Sequence, residues 1–183
     1  PKSWEDLAHP QFYDSISFAD VRHSSSSLVL LTIILLGHSW QKAWEILIKI
    51  AANTREFTLS SAEPIKKVVT GDVVAAGSID FYAYSKIARL GHQSLAFVLP
   101  ERLTLLNSDP VAILKGAPHK KEAERFIDFI LSPQAQKVLI LPKGSEGGPK
   151  FHTLARMAIN PLAYEQTQGL ASSSINPFLL KTP

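Results

Sequence analysis

The chain has 183 residues, 45% hydrophobic and 19% charged, with a net charge of +3, enough for one large or two small soluble domains with a buried core. Its 19 basic residues are scattered, and the densest group, His119-Lys120-Lys121, is answered by Glu122, Glu124 and Asp128; this is a solvated helix face, and no nucleic-acid partner is expected. The absence of cysteine excludes disulfides, thiolate metal sites and cysteine nucleophiles, and is compatible with export.

In chain order, Ser3-Trp4-Glu5-Asp6 has the form of a capping box with Asp in the place of the usual Glu, and Pro10 keeps the turn short. Residues 15–19, SISFA, alternate as a strand. Asp20 to His23 follow, then Ser24 to Ser27, which mark the N-terminus of an apolar helix over 25–36 that stops at Gly37. The run LVLLTIILL at 28–36 is about half of a membrane span and reads as a buried helix. Ser39 caps a second helix, where Trp40, Trp44, Leu47, Ile48 and Ala51 recur at helical spacing. A strand at 57–60, a helix at 62–70 that accepts Pro64 in its first turn, a strand at 73–79, a helix at 81–90 and a strand at 94–100 come next. This alternation predicts an α/β fold with a largely parallel sheet.

Beyond it, 101–110 turns polar, 111–114 (VAIL) reads as a strand, and 119–132 as an amphipathic helix with Ala123, Phe126, Ile127 and Ile130 on its core face. Ser132-Pro133 opens a short helix, a glycine- and proline-rich connection covers 141–151, and the tail carries weak helical segments near 153–159 and 161–168. The chain begins at Pro1 without an initiator methionine, which reads as a processed or excised piece.

Two constellations carry possible chemistry. The serine run after Asp20 and Arg22 combines hydroxyls with helix N-terminal amides and can hold an anion, or can be a capped helix with spare serines; Arg22 can face a ligand or Asp20. The cluster Asp80, Phe81, Tyr82 and Tyr84 can wall a ligand, with tyrosine as a phenolate for a hard metal, or can pack the core, since Phe81 and Tyr84 are three apart. Enzyme signatures are missing: six histidines show no HExxH spacing, no GxSxG elbow is present, and GSEGG at 144–148 lacks the lysine of a phosphate loop. No catalytic residue is assigned.

SWEDL with SISFADVRHSSSS, GDVVAAGSIDFYA, LAFVLPE and DPVAILKGAPHKKEAERFIDFILSPQAQ occur in an order that resembles the extracellular solute-binding proteins of ABC transporters, in the branch with ferric-iron binders. The resemblance implies a periplasmic-binding-protein type II lobe, with a mixed, mostly parallel sheet flanked by helices, plus a segment returning to the other lobe. It implies that residues 1–100 form most of the second lobe, 101–142 return to the first, and 143–183 pack back on the second. It further implies a cleft ligand, an ion or small molecule, contacted by Arg22, Ser24, Ser25, Ser26, Asp80, Phe81 and Tyr82. No cofactor is expected, and the partner is an ABC permease. Iron-binding relatives have two adjacent tyrosines where this chain has Phe81-Tyr82, so Tyr82 is the candidate metal ligand and an anion or organic solute is favoured. Val21 and Ser25 also depart from the family's proline and glycine. The implied location is periplasmic or extracellular, with membrane anchoring possible and the signal sequence outside this chain. A sensing domain of a regulator or receptor is the alternative. The helix at 119–132 would seek an apolar cover, as by self-association.

Overall fold

The computed structural model describes residues 1–100, 103–167, 169–173 and 175–179. Positions 101–102, where the return towards another lobe would begin, lie outside the described residues, as do 168, the predicted end of the last helix, and 180–183 of the serine- and proline-rich tail. The chain divides into two compact units, residues 1–83 with 91–105, and residues 84–90 with 106–183.

The first unit is built on three strands, β1 (Ile16–Ala19), β2 (Thr54–Thr58) and β3 (Ala75–Ala76), in the order β2-β1-β3. Both pairings of the central strand are parallel, with Phe18 opposite Phe57 and Ser17 opposite Ala76. Parallel neighbours need long crossovers. The crossover from β1 to β2 holds α1 (Ser25–Gly37) and α2 (Trp40–Asn53); that from β2 to β3 holds α3 (Pro64–Thr70). Helix α4 (Asp80–Leu90) follows β3, and the division between the units falls within it. The predicted α/β class and parallel sheet are borne out.

Local signals in the sequence act as expected. The Ser3 hydroxyl accepts from the Asp6 N–H at 3.3 Å, and the Asp6 carboxylate accepts from the Ser3 N–H at 3.1 Å, closing the capping box. Ser39 caps α2 by accepting from the Lys42 N–H. Gly71 ends α3 in the left-handed conformation at φ 79°, which costs a glycine little.

The core of this unit joins Leu7, Phe12, Ile16, Ile34, Ala43, Ile46 and Ile50. Here the structure corrects the reading of α2: the buried stripe is Ala43, Ile46, Ile50 and Asn53, whereas Trp40 and Ile48 are each 64% exposed. The helix carries two apolar stripes, and the buried one ends in Asn53, whose side-chain amide donates to the carbonyls of Leu7 and His9 at 2.8 and 2.9 Å. Those bonds fix the helix's rotation, because a buried amide left without partners costs about 1–3 kcal/mol. Helix α1 is apolar on every side, yet only Ser27 and Ile34 are buried in it, so the expected buried helix is covered on one side.

Two expected strands are absent. Residues 94–100 and 111–114 carry no strand pairing, because a strand exists through a partner's hydrogen bonds and neither finds one among the described residues. Strand β2 begins at Thr54, directly after α2, and ends at Thr58 rather than reaching residue 60, as the register on β1 requires.

In the second unit, α5 (Lys120–Leu131), α6 (Pro133–Ile140) and α7 (Pro161–Glu165) follow one another, and Ile140, Ala158 and Ala163 form a small core. Ser132 caps α6 and Asn160 caps α7. The expected helix near 153–159 does not form. Ala155 sits at φ 52°, and the N–H groups of Arg156, Ala158 and Ile159 donate to Leu139, Tyr164 and Gln136 instead of to carbonyls one turn back. Helix α5 packs chiefly on α6 and has no buried residue; Phe126, expected in the core, is 58% exposed, because that packing covers a narrow strip.

The two stripes of α2 are separable by experiment. Ile46→Ala is expected to cost about 2–5 kcal/mol. Ile48→Ala is expected to stay within about 0.5 kcal/mol. Urea denaturation of the intact protein measures both.

Candidate functional site

The order β2-β1-β3 makes a topological switch point between β1 and β3, since the chain leaves β1 towards one side and later returns to the other. In such sheets the loops leaving the carboxyl ends of the two strands diverge and leave a crevice. The loop after β1 holds Asp20 to Ser24; the loop after β3 holds Gly77 to Ile79 and leads into Asp80. The structure thus brings the two sequence-predicted clusters to the same edge of one sheet.

The first loop is organised by Asp20. Its N–H donates to the Thr58 carbonyl at 2.8 Å, and its own carbonyl accepts from the N–H groups of His23 and Ser24, both at 2.9 Å. Its carboxylate accepts from the Arg22 N–H at 2.9 Å, from Arg22 Nε at 3.0 Å and from Nη2 at 2.5 Å. These bonds, first those of the guanidinium and then that of the backbone N–H, hold the carboxyl at about 2, against an ordinary 3.8. Arg22, which the sequence left between a ligand and Asp20, is paired with Asp20 while its side chain stays 79% exposed.

Ser24 is the N-cap of α1; its buried hydroxyl accepts from the Ser27 N–H at 3.2 Å. Ser25, exposed, and Ser26, half-buried, occupy the first two helical positions, where an amide has no carbonyl one turn back within the helix. Their N–H groups lie at the positive end of the α1 dipole. The four serines therefore divide into a cap (Ser24), its buried partner (Ser27) and two outward residues.

The second loop starts from Gly77, whose N–H donates to the Ser17 carbonyl at 3.1 Å and prolongs β3. Asp80, Phe81 and Tyr82 form the first turn of α4, all half-buried, with the two rings tilted at 51° and their centroids 4.4 Å apart. Tyr84 is 7% exposed and packs inward. Among the described residues no group of three His, Asp or Glu side chains is placed to hold a metal ion. A surface depression elsewhere in this unit, lined by Glu5, Asp6, His9, Lys42 and Lys49, contains none of the predicted site residues.

Asp20 and Gly77 were not singled out as site residues by sequence. The signals were present: an Asp two residues before an Arg after a strand forms an Asx turn, and a glycine ending a strand marks a close backbone approach.

Residues 1–145 match the model of the bacterial extracellular solute-binding proteins. The chain belongs to this family. Its members bind solutes and are not enzymes. Over 176 residues the chain is 26% identical to the phosphoglycerate transport regulatory protein PgtC of Salmonella typhimurium, covering 96% of itself and 42% of PgtC. Among solved structures, the periplasmic binding protein P5PA matches all of the chain over 53% of its own length, with a TM-score of 0.66 at 21% identity. AfuA from Actinobacillus pleuropneumoniae, bound to fructose-6-phosphate, matches 75% of the chain over 43% of its own, at 0.60 and 26% identity. Iron-bound HitA from Pseudomonas aeruginosa matches 85% over 53%, at 0.58 and 24% identity. The neighbours bear out the type II periplasmic-binding-protein fold. The chain spans about half the length of these relatives or less. Among its described residues no helix is long and apolar enough to cross a membrane.

The Asp20–Arg22 pair has a pH signature. Because the folded carboxyl is held below its unfolded value, its contribution is complete above about pH 4 and disappears as pH falls through about 2. Asp20→Asn should therefore narrow its stability gap to the parent protein over that window, as acid titrations followed by circular dichroism would measure.

Proposed function

We propose that this chain supplies the second lobe of a periplasmic solute-binding protein that holds a small phosphorylated organic anion and delivers it to an ABC permease. In this reading residues 1–100 supply that lobe and 101–142 return to the opposing lobe. The observation that carries the reading is the meeting of two loops at the β1/β3 switch point, one ending in a serine-capped helix N-terminus and the other in a ring pair. The amides and hydroxyls of Ser25 and Ser26 receive the anion, and Ser24 holds the cap beneath them. Arg22 adds positive charge while Asp20 fixes its direction. Asp80 and the rings of Phe81 and Tyr82 meet the organic part of the solute. Binding closes the two lobes by preferring the closed state.

The phosphorylated class rests on two relatives, one named for phosphoglycerate transport and one solved with fructose-6-phosphate. Iron, which HitA is solved with, is disfavoured in its hard ferric form by Phe81, which offers no phenolate beside Tyr82. A second reading, a sensing domain of a regulator, is favoured by the word "regulatory" in the name of PgtC. A deletion separates the two: loss of solute uptake with the permease still expressed supports transport, and loss of permease expression supports regulation.

In the intact protein, 3-phosphoglycerate or fructose 6-phosphate at a hundred times its Kd should stabilise the fold by about 2.7 kcal/mol in a thermal-shift assay. Ser25→Glu should weaken that binding about tenfold or more by placing a carboxylate against the anion. A shift with ferric salts and none with any phosphate ester would overturn the phosphorylated class.

Phe81→Tyr restores a second phenolate. The variant should gain a visible phenolate-to-iron absorption band with ferric iron; a colourless mixture would show that the ring pair is not at the ligand.

A further inference from the structure

Phe18 lies in β1 and Gly77 directly after β3, and the two touch in a way no side chain at 77 would permit. A Cβ built on Gly77 falls 2.3 Å from both Cδ1 and Cε1 of the Phe18 ring, and 3.2 Å from Cδ1 of Leu30. Real carbons do not approach that closely, so the ring lies directly on the glycine backbone. The ladder resists movement of the paired backbones. Gly77 is tied to the Ser17 carbonyl, Phe18 is paired in register with Phe57, and Ser17 with Ala76. The ring, Leu30 or the loop beyond Gly77 must therefore give way to any added carbon. Leu30 belongs to α1, the helix whose first turn is Ser25 and Ser26, and Gly77 leads within three residues to Asp80 and the ring pair.

We infer that the Phe18 ring, seated on Gly77 where Leu30 of α1 also approaches, is the spacer that sets the position of the serine loop relative to the Phe81–Tyr82 turn. Gly77 is a positioning residue. Its missing side chain lets one rigid ring gauge both loops at once. Any carbon added there pushes the ring towards α1 or lifts the loop after β3. Either movement changes the distance between the amides and the rings that would share a ligand. The inference rests on the proposed solute site for its functional meaning, while the spacer itself is a property of the fold.

Amide hydrogen exchange on the intact protein tests the spacer without a ligand. Gly77→Ala should speed exchange about tenfold or more at residues 20–26 and 78–82, while the amides of Ile46 to Ile50 in α2 stay within about twofold of the parent. The double variant Phe18→Val with Gly77→Ala removes the clashing ring atoms and keeps a strand-forming residue, so it should return both loops to within about twofold of the parent. Unchanged loops in Gly77→Ala, equal acceleration in α2, or no recovery in the double variant would each overturn the inference. Titration with fructose 6-phosphate adds the functional arm: affinity should fall about tenfold in Gly77→Ala and recover in the double variant. If the parent protein binds no phosphate ester, the solute reading falls and the exchange result alone judges the spacer.

Discussion

Strands paired in parallel must be entered at the same end of the sheet, and β1 has such a partner on each side. This constraint forces α1 and α2 into one crossover and α3 into the other, and it sends the chain out of β1 and β3 at the same edge. Both candidate clusters of the first unit take their place from it. The serine loop and the ring turn lie far apart in sequence and share an edge because the sheet allows no other exit. The central strand is covered on both faces, with Ile16 and Ser17 fully buried; the Ser17 hydroxyl donates to the Glu56 carbonyl at 3.4 Å, which satisfies it there, and the Ser17 carbonyl extends the ladder to Gly77.

Features decided by neighbours in sequence were legible before any coordinates. Ser3 with Asp6, Ser39 before Trp40 and Ser132 before Pro133 each announced a helix start, because the cap is made within one turn. The extent of β2 was not, since a strand's ends are set by its partner's register. Residues 94–100 have the composition of a strand and no mate, and composition cannot supply one. In α2 the sequence points to Trp40, Trp44, Leu47, Ile48 and Ala51, of which Leu47 packs on the core; the stripe buried there is Ala43, Ile46 and Ile50, held by Asn53 reaching the carbonyls of Leu7 and His9. Nothing local to 153–159 foretells the left-handed Ala155.

The candidate site was legible as two clusters and not as one place. Residue types identified the serines and the rings; only the strand order joined them. The sequence left open whether Arg22 faces Asp20 or a ligand, and the structure pairs it with Asp20 through an Asx turn with the guanidinium folded back on the same carboxylate. That arrangement also moderates the loop's charge, so the positive end of α1 is the clearer electrostatic feature.

The position of β1 has a consequence for how the chain acquires its structure. Ile16 is near the beginning, yet its second neighbour, Ala75, arrives only after two crossovers have been made. Of the three strands, β1 is therefore paired on both sides only when β3 docks. Contacts this distant in sequence slow folding, because loop closure must precede the reward of pairing. The topology thus gives the edge that carries the ring turn the longest loop to close.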